Sequence, residues 1–400
     1  MTDNKHINKQ WLPTTKKEIE HLGWDYIDVI LFSGDAYIDH PSMGAAVIGR
    51  VLEANGYRVA IVPQPNWRDD LRDFAKLGKP RLFFSVSAGA MDSMVNHYTA
   101  NRRKRSDDAY TPNAKAGMRP DYPTIVYTEA LKKLFPDVPV VAGGIEASMR
   151  RLAHYDYWKD DIAPSILKDC KADLLVYGMG EKPIIEIANS LRDGKNISEL
   201  TDIPQTALRC SVDSIPTQPN NDIEIVLHSF EQCKKDKKKH AENFKNIEIE
   251  SNRWQGRTIW QQTGNIAIKV NGTNPPMTEA EIDASFDLPY TRLPHPRYNG
   301  KRIPAYEMIR HSVNLHRGCF GGCSFCTISA HQGKFIASRS KQSIMREVAQ
   351  VCAMEDFKGY ISDLGGPSAN MYKLGGNDIE KCKQCTRPSC LHPLPCPNLN

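Results

Sequence analysis

The sequence predicts an α/β protein: a doubly wound domain over residues 1–210, a connecting region over 211–300, and a smaller α/β unit over 301–400. Three observations carry this. Short, almost continuously apolar runs alternate with helical patterns, as parallel strands covered on both faces require. The strand runs end in small-residue or glycine turns, notably Ser87-Ala-Gly-Ala90, Gly143-Gly-Ile-Glu146 and Gly178-Met-Gly-Glu181. The last hundred residues gather seven of the eleven cysteines into two tight clusters.

Taken in order, Thr15-Lys-Lys-Glu-Ile-Glu-His-Leu22 reads as a short helix and Tyr26–Phe32 as the first strand. A loop, Ser33–Pro41, follows. A helix over Ser42–Asn55 places Val47 and Val51, and Ile48 and Leu52, at i,i+4 spacing, with Gly56 as its stop. Arg58–Val62, Leu82–Val86, Val138–Ala142 and Asp173–Tyr177 are the further strands, and Thr124–Leu134 is a helix between two of them. Repeated βα units of this kind make an open, doubly wound sheet. Asn96–Pro120, with Arg102-Arg-Lys-Arg105, reads as an ordered insertion.

Composition excludes several classes. With 40% hydrophobic and 25% charged residues, the chain has the balance of a globular protein. No stretch approaches the roughly 20 apolar residues of a membrane-spanning helix, and the polar start Met-Thr-Asp-Asn-Lys-His lacks a signal-peptide core. A net charge of +5 is too mild to argue for nucleic acid without a localised patch. Eleven cysteines cannot all pair, and tight clusters without an export signal favour metal in a reducing, cytoplasmic compartment.

The chemistry is concentrated in Asn314-Leu-His-Arg-Gly-Cys-Phe-Gly-Gly-Cys-Ser-Phe-Cys326. Cys319, Cys323 and Cys326 form C-x3-C-x2-C, separated by Gly321 and Gly322, which suits a loop wrapped around one soft-metal centre. Iron–sulfur clusters usually take four thiolates, so three imply an iron left open to another ligand. A structural zinc loop or reduced, unmetallated thiols are the alternatives.

This motif, with Phe325 before the last cysteine, resembles the signature of the radical S-adenosylmethionine (SAM) enzymes. The longer text, continuing into Gln332-Gly-Lys-Phe-Ile-Ala-Ser-Arg-Ser340, is similar to the YgiQ family of radical SAM proteins. The resemblance implies a [4Fe-4S] cluster on Cys319, Cys323 and Cys326, and SAM on the open iron. It also implies reductive cleavage of SAM to a 5′-deoxyadenosyl radical, with Phe325 beside the adenine and a flavodoxin- or ferredoxin-like electron donor. The N-terminal domain is similar in layout to cobalamin-binding domains. It lacks their D-x-H-x-x-G signature, since Asp39 and His40 are adjacent, so cobalamin is not expected and His40 reads as a loop histidine.

On this resemblance Ser312–Leu315 is the first strand of a (β/α) barrel, Ser343–Met354 its first helix with Ser343 as N-cap, and Lys358–Asp363 its second strand. Gly365 and Gly366 fall where the superfamily receives the methionyl amino group, although Pro367 replaces the usual acidic residue. Only 74 residues follow Cys326, whereas such a barrel takes about 200, and a truncated, partial barrel is expected.

Two stretches remain. Cys382, Cys385, Cys390 and Cys396, interleaved with prolines, could hold a second iron–sulfur cluster or a zinc ion. The charge run Gln232–His240 and the aromatic–basic patch Asn252–Arg257 could contact RNA, or be a solvated helix face with a packed tryptophan. They support the competing function, a metal-stapled RNA-binding protein without catalysis. The substrate of an enzyme of this kind is not named by the sequence.

Overall fold

Nine strands form one mixed sheet, with the parallel part first. β1 (Val29–Ser33), β2 (Val59–Pro63), β3 (Phe83–Ser87), β4 (Val140–Gly143) and β5 (Leu174–Val176) are followed by β6 (Thr206–Ser211), β7 (Glu224–Val226), β8 (Thr258–Thr263) and β9 (Ile266–Val270). The spatial order is β2-β1-β3-β4-β5-β6-β9-β8-β7. The first five strands are mutually parallel, with register pairs such as Leu31↔Ile61 and Leu31↔Ser85. Their 2-1-3-4-5 order is the flavodoxin-like one, which opens a crevice between β1 and β3 beyond their C-terminal ends. The computed structural model describes residues 10–367 and 369–400. The polar N-terminal start and Ser368 of the glycine turn lie outside them.

Alternation along β1 divides the core between two layers. Val29 and Leu31 pack with Val59, Ile61, Leu52 of the Gly44–Ala54 helix and Ile187 of the Glu181–Arg192 helix. Ile30 and Phe32 face the other way, against Phe74, Phe84, Tyr127 and Leu131. Phe32 stacks on Phe74 at 5.3 Å between ring centroids. Since successive strand residues point to opposite faces, a fully apolar strand is the mark of a sheet sandwiched between helices.

Several boundaries move from those expected. The first helix runs Lys16–His21, with Thr15 and Glu18 closing a capping box. β1 starts at Val29 because Asp28, buried, accepts from the Arg58 backbone N–H at 2.8 Å. The sheet also continues past residue 210. The segment read as a connection contributes β7, β8 and β9, with β8 and β9 joined through Gly264 at φ +61°.

The cysteine unit begins with β10 (Ser312–Asn314) and β11 (His316–Arg317) and continues with β12 (Ala337–Ser338) and β13 (Asp363–Gly365). β10 and β13 pair in parallel, Ser312 opposite Asp363. The second strand therefore lies later than Lys358–Asp363, because Gly359 turns at φ +89° and interrupts the earlier run. The helix between them spans Lys341–Cys352 and is capped by Ser340, which accepts from the Ser343 backbone N–H at 3.1 Å. Ser343 is instead buried inside that first turn, hydrogen-bonded to Arg339 and Asp287. Ile344, Val348 and Val351 pack on Val313 and Leu315 as the periodicity requires.

Residues 290–295 fasten this unit to the large sheet. Arg292 N donates to Asp39 O (2.9 Å) and Asp39 N to Leu293 O (3.1 Å), while Asp39 itself is held by Arg50 at 3.0 Å and 2.5 Å. From the same segment Arg292 pairs with buried Glu347 and donates to Ser312 O at 2.7 Å. Glu347 is also paired with Arg339.

Candidate functional site

The cysteine loop leaves β11 through Gly318 and Gly322, both at positive φ. A side chain at Gly318 would run into Phe335 O, so close approach as well as backbone conformation calls for glycine there. Gly321 lies beside the sulfurs: a Cβ on it would make ordinary contact, 3.5 Å from Cys319 Sγ and 3.7 Å from Cys323 Sγ. Cys319 is buried, Cys326 half-buried and Cys323 exposed. Phe325 is 89% exposed.

Cys323, Phe325 and Cys326 line a cavity of about 1200 Å³ whose opposite wall is the large sheet. That wall comprises Ser87 and Gly89 after β3, Gly143 and Gly144 after β4, and Gly178 to Glu181 after β5. These are the C-terminal strand ends, where an open α/β sheet binds ligands. Arg317, immediately before the cysteine loop, pairs with buried Glu181 across this cavity. Gly178 lets the strand end come close to the loop's following helix, Ile328–Gln332, since a Cβ there would lie 3.1 Å from His331 O.

Two histidines on the wall, His154 and His331, are held neutral. Burial pulls His154 and His331 down to about 4, and the Arg151 guanidinium pushes His331 the same way. Arg151 is itself buried, over the Tyr177 ring at 4.4 Å, donating to Ser148 O and Ser251 Oγ. It makes no ion pair with the described residues. His40 is buried with Nδ1 accepting from Ser42 N at 3.1 Å, and does not line the cavity.

Gly365 and Gly366 also lie off the cavity wall, although Pro367 is on it. The Gly365 carbonyl accepts from Leu315 N at 2.8 Å, and Gly366 abuts the His316 ring. His316 in turn accepts from Met371 N through Nε2 at 2.9 Å.

The four C-terminal cysteines occupy a loop laid over the first cysteine loop. Ser389 Oγ donates to Phe320 O at 2.9 Å, and Cys390 packs with the Cys319–Phe320 cluster. Burial pushes the Cys382 thiol up. A hydrogen bond from Asn398 opposes this, the nearby Cys385 and Cys396 add to it, and Lys334 opposes it. Burial likewise raises Cys390. Among the described residues, no three His, Cys, Asp or Glu side chains converge as a ready-made metal-ligating set. What fits a metal is the donor chemistry, three thiols close in sequence on one loop turned at Gly318 and Gly322.

Comparison with known proteins decides the family. The model described as radical SAM N-terminal matches residues 11–312. The chain belongs to the radical SAM N-terminal family. The match ends within β10, on the strand that leads into the cysteine loop. The chain is 66% identical over 395 residues to a UPF0313 protein of Porphyromonas gingivalis, covering 99% of this chain and 62% of that protein. It is 62% identical over 401 residues to a UPF0313 protein of Bacteroides thetaiotaomicron, covering 98% and 64%. A UPF0313 protein of Geobacter sulfurreducens is 49% identical over 386 residues, covering 96% and 63%. These relatives bear out the YgiQ-family resemblance, and the chain spans about three fifths of their length.

In this radical SAM family member the aromatic–basic patch Asn252–Arg257 is packed into the fold. Arg253 and Arg257 both pair with buried Glu250, at 2.9 Å and 2.6 Å, and Trp254 meets Phe335 edge-on at 5.1 Å. Glu250, Arg151 and Lys334 were not singled out by sequence reasoning. A charged residue at an apolar face position is the only signal they carry, and it is shared by many surface residues. Among the described residues, no helix is long and apolar enough to cross a membrane.

Proposed function

We propose that this chain is the SAM-cleaving part of a radical enzyme, with Cys319, Cys323 and Cys326 holding a [4Fe-4S] cluster. The observation that carries the reading is the shared cavity: the cysteine loop and the C-terminal ends of β3, β4 and β5 face one space of about 1200 Å³. A [4Fe-4S] cluster held there would supply one electron to SAM, breaking its C5′–S bond to release methionine and a 5′-deoxyadenosyl radical. The chain's own residues position and enclose. Gly318 and Gly322 shape the loop, and Gly321 lies beside the Cys319 and Cys323 sulfurs. Exposed Phe325 offers a face to a flat base, and the Arg317–Glu181 pair fixes the loop against the sheet. The strand-end glycines present backbone to the substrate without side chains in the way. Enclosure matters because a radical intermediate must be kept from competing reactions. A flavodoxin- or ferredoxin-like donor supplies the electron.

The test is anaerobic reconstitution with iron and sulfide, reduction with dithionite and addition of SAM. Formation of 5′-deoxyadenosine, absent in Cys323→Ala, is expected. A reconstituted, reduced protein that binds SAM and forms none would sink the reading.

A further inference from the structure

We propose that Cys382, Cys385, Cys390 and Cys396 hold a second, tetrathiolate metal centre whose counter-cation is the buried Lys334. This does not rest on the SAM reading, because the two cysteine sets share no ligand.

The first observation is an unneutralised cation. Lys334 is 1% exposed, and its Nζ donates to Cys385 Sγ at 3.1 Å and to the Arg387 carbonyl. It makes no ion pair with a carboxylate among the described residues. Taking an ammonium out of water is strongly unfavourable unless an anion meets it. A neutral thiol and a carbonyl do not supply one. A metal does so indirectly, because it binds cysteine as thiolate and releases the proton. Four thiolates around zinc, or around an oxidised [4Fe-4S] core, leave a net charge of about −2. A buried lysine then becomes a stabilising neighbour.

The second observation is that donors and space are arranged at individual sulfurs of the loop, although the four sulfurs do not yet converge as one ligating set. Cys385 N donates to Cys382 O at 3.1 Å and Cys396 N to Cys390 O at 2.7 Å, which folds the four cysteines into two tight pairs. Asn398 Nδ2 is 3.4 Å from Cys382 Sγ, and Asn398 is oriented by Asp378 N, which donates to its Oδ1 at 2.9 Å. Gly376 leaves the space at Cys382 Sγ that any Cβ would occupy. Amide and ammonium donors aimed at sulfur are the outer partners that metal thiolates recruit. A pair of disulfides would use the same four cysteines, but would leave Lys334 facing neutral sulfur.

The placement gives the centre a purpose. Ser389, in the same loop, holds the Phe320 and Gly321 carbonyls beside Cys319. Metal at the four cysteines would therefore set the cover of the first cysteine loop.

The test uses the whole chain purified anaerobically. Metal and acid-labile sulfide are counted in a Cys319→Ala/Cys323→Ala/Cys326→Ala variant, so that loss of the first site cannot mask the second. One zinc per chain without sulfide, or iron with matching sulfide, is expected, and a further Cys385→Ser change should abolish either. A triple variant that folds by circular dichroism yet retains no metal overturns the proposal. So do disulfides in place of thiols. For Lys334, metal release to EDTA is timed in Lys334→Met and Lys334→Arg. At least a tenfold faster release in Lys334→Met, largely restored in Lys334→Arg, is expected. Equal rates in wild type and Lys334→Met overturn the role given to the lysine.

Discussion

Gly366 lies against the imidazole of His316 so closely that a β-carbon on it would overlap the ring, and it would also come 2.7 Å from Ala369 O. The glycine pair after β13 thus has a packing reason of its own. Gly366→Ala is expected to cost about 1–3 kcal/mol, visible as a lower urea midpoint. Gly365→Ala, whose new carbon would lie 3.3 Å from Asp363 Oδ1, should cost less. Equal midpoints for the two variants would contradict this packing.

Glu347 stands between Arg292 and Arg339, all three buried. Removing one member of a buried ionic set leaves the others uncompensated, at roughly 3–5 kcal/mol. Glu347→Ala should destabilise by that order. Hydrogen exchange should accelerate first around 290–295 and 312–315, where Arg292 anchors the two parts to each other. Protection lost uniformly over the whole chain would count against a local anchor.

Glu250 neutralises Arg253 and Arg257 from a buried position. Glu250→Gln should therefore lower stability, and Trp254→Ala, removing a half-buried ring, should lower it by about 0.5–3 kcal/mol through lost packing on Phe335. If the patch instead served RNA, Trp254→Ala would keep wild-type stability and lose affinity for a single-stranded oligonucleotide, whereas Glu250→Gln, by freeing two cations, would raise it.

Acid should destabilise the cavity wall. His154 and His331 fall to about 4 in the folded chain, against 6.5 when unfolded. The unfolded chain therefore takes up protons first. Their contribution is complete above pH 6.5 and is lost as pH falls towards 4. In a His154→Gln/His331→Gln variant, stability measured by urea unfolding should fall less steeply across that window. Parallel curves for variant and wild type would disprove it.

Cys319→Ala, Cys323→Ala and Cys326→Ala should each remove the SAM-responsive part of the reconstituted brown absorbance, since three thiolates leave no spare ligand. A SAM-responsive spectrum surviving in any of the three would refute the ligand assignment.

The βαβ succession was legible because every parallel strand is a run of buried apolar residues, and the cysteine loop because its spacing is local. The β8–β9 hairpin was legible in principle. Thr258–Thr263 and Ile266–Val270 flank Gly264-Asn265, a common hairpin turn, but the neighbouring lysine run made the region read as a connection. The Arg292–Glu347 and Lys334–Cys385 contacts span 55 and 51 residues. No periodicity encodes contacts of that range; they arise only once segments distant in the chain pack together.

The cavity has one wall from the large sheet and one from the cysteine loop, and neither wall encloses anything alone. Its size is consequently a property of a joint. Residues 290–295, with Arg292 gripping both sides, determine how far apart a molecule lying on the strand ends and a reactive group on the loop would stand. A change there, far from any reacting atom, would retune reach without altering a single contact to either.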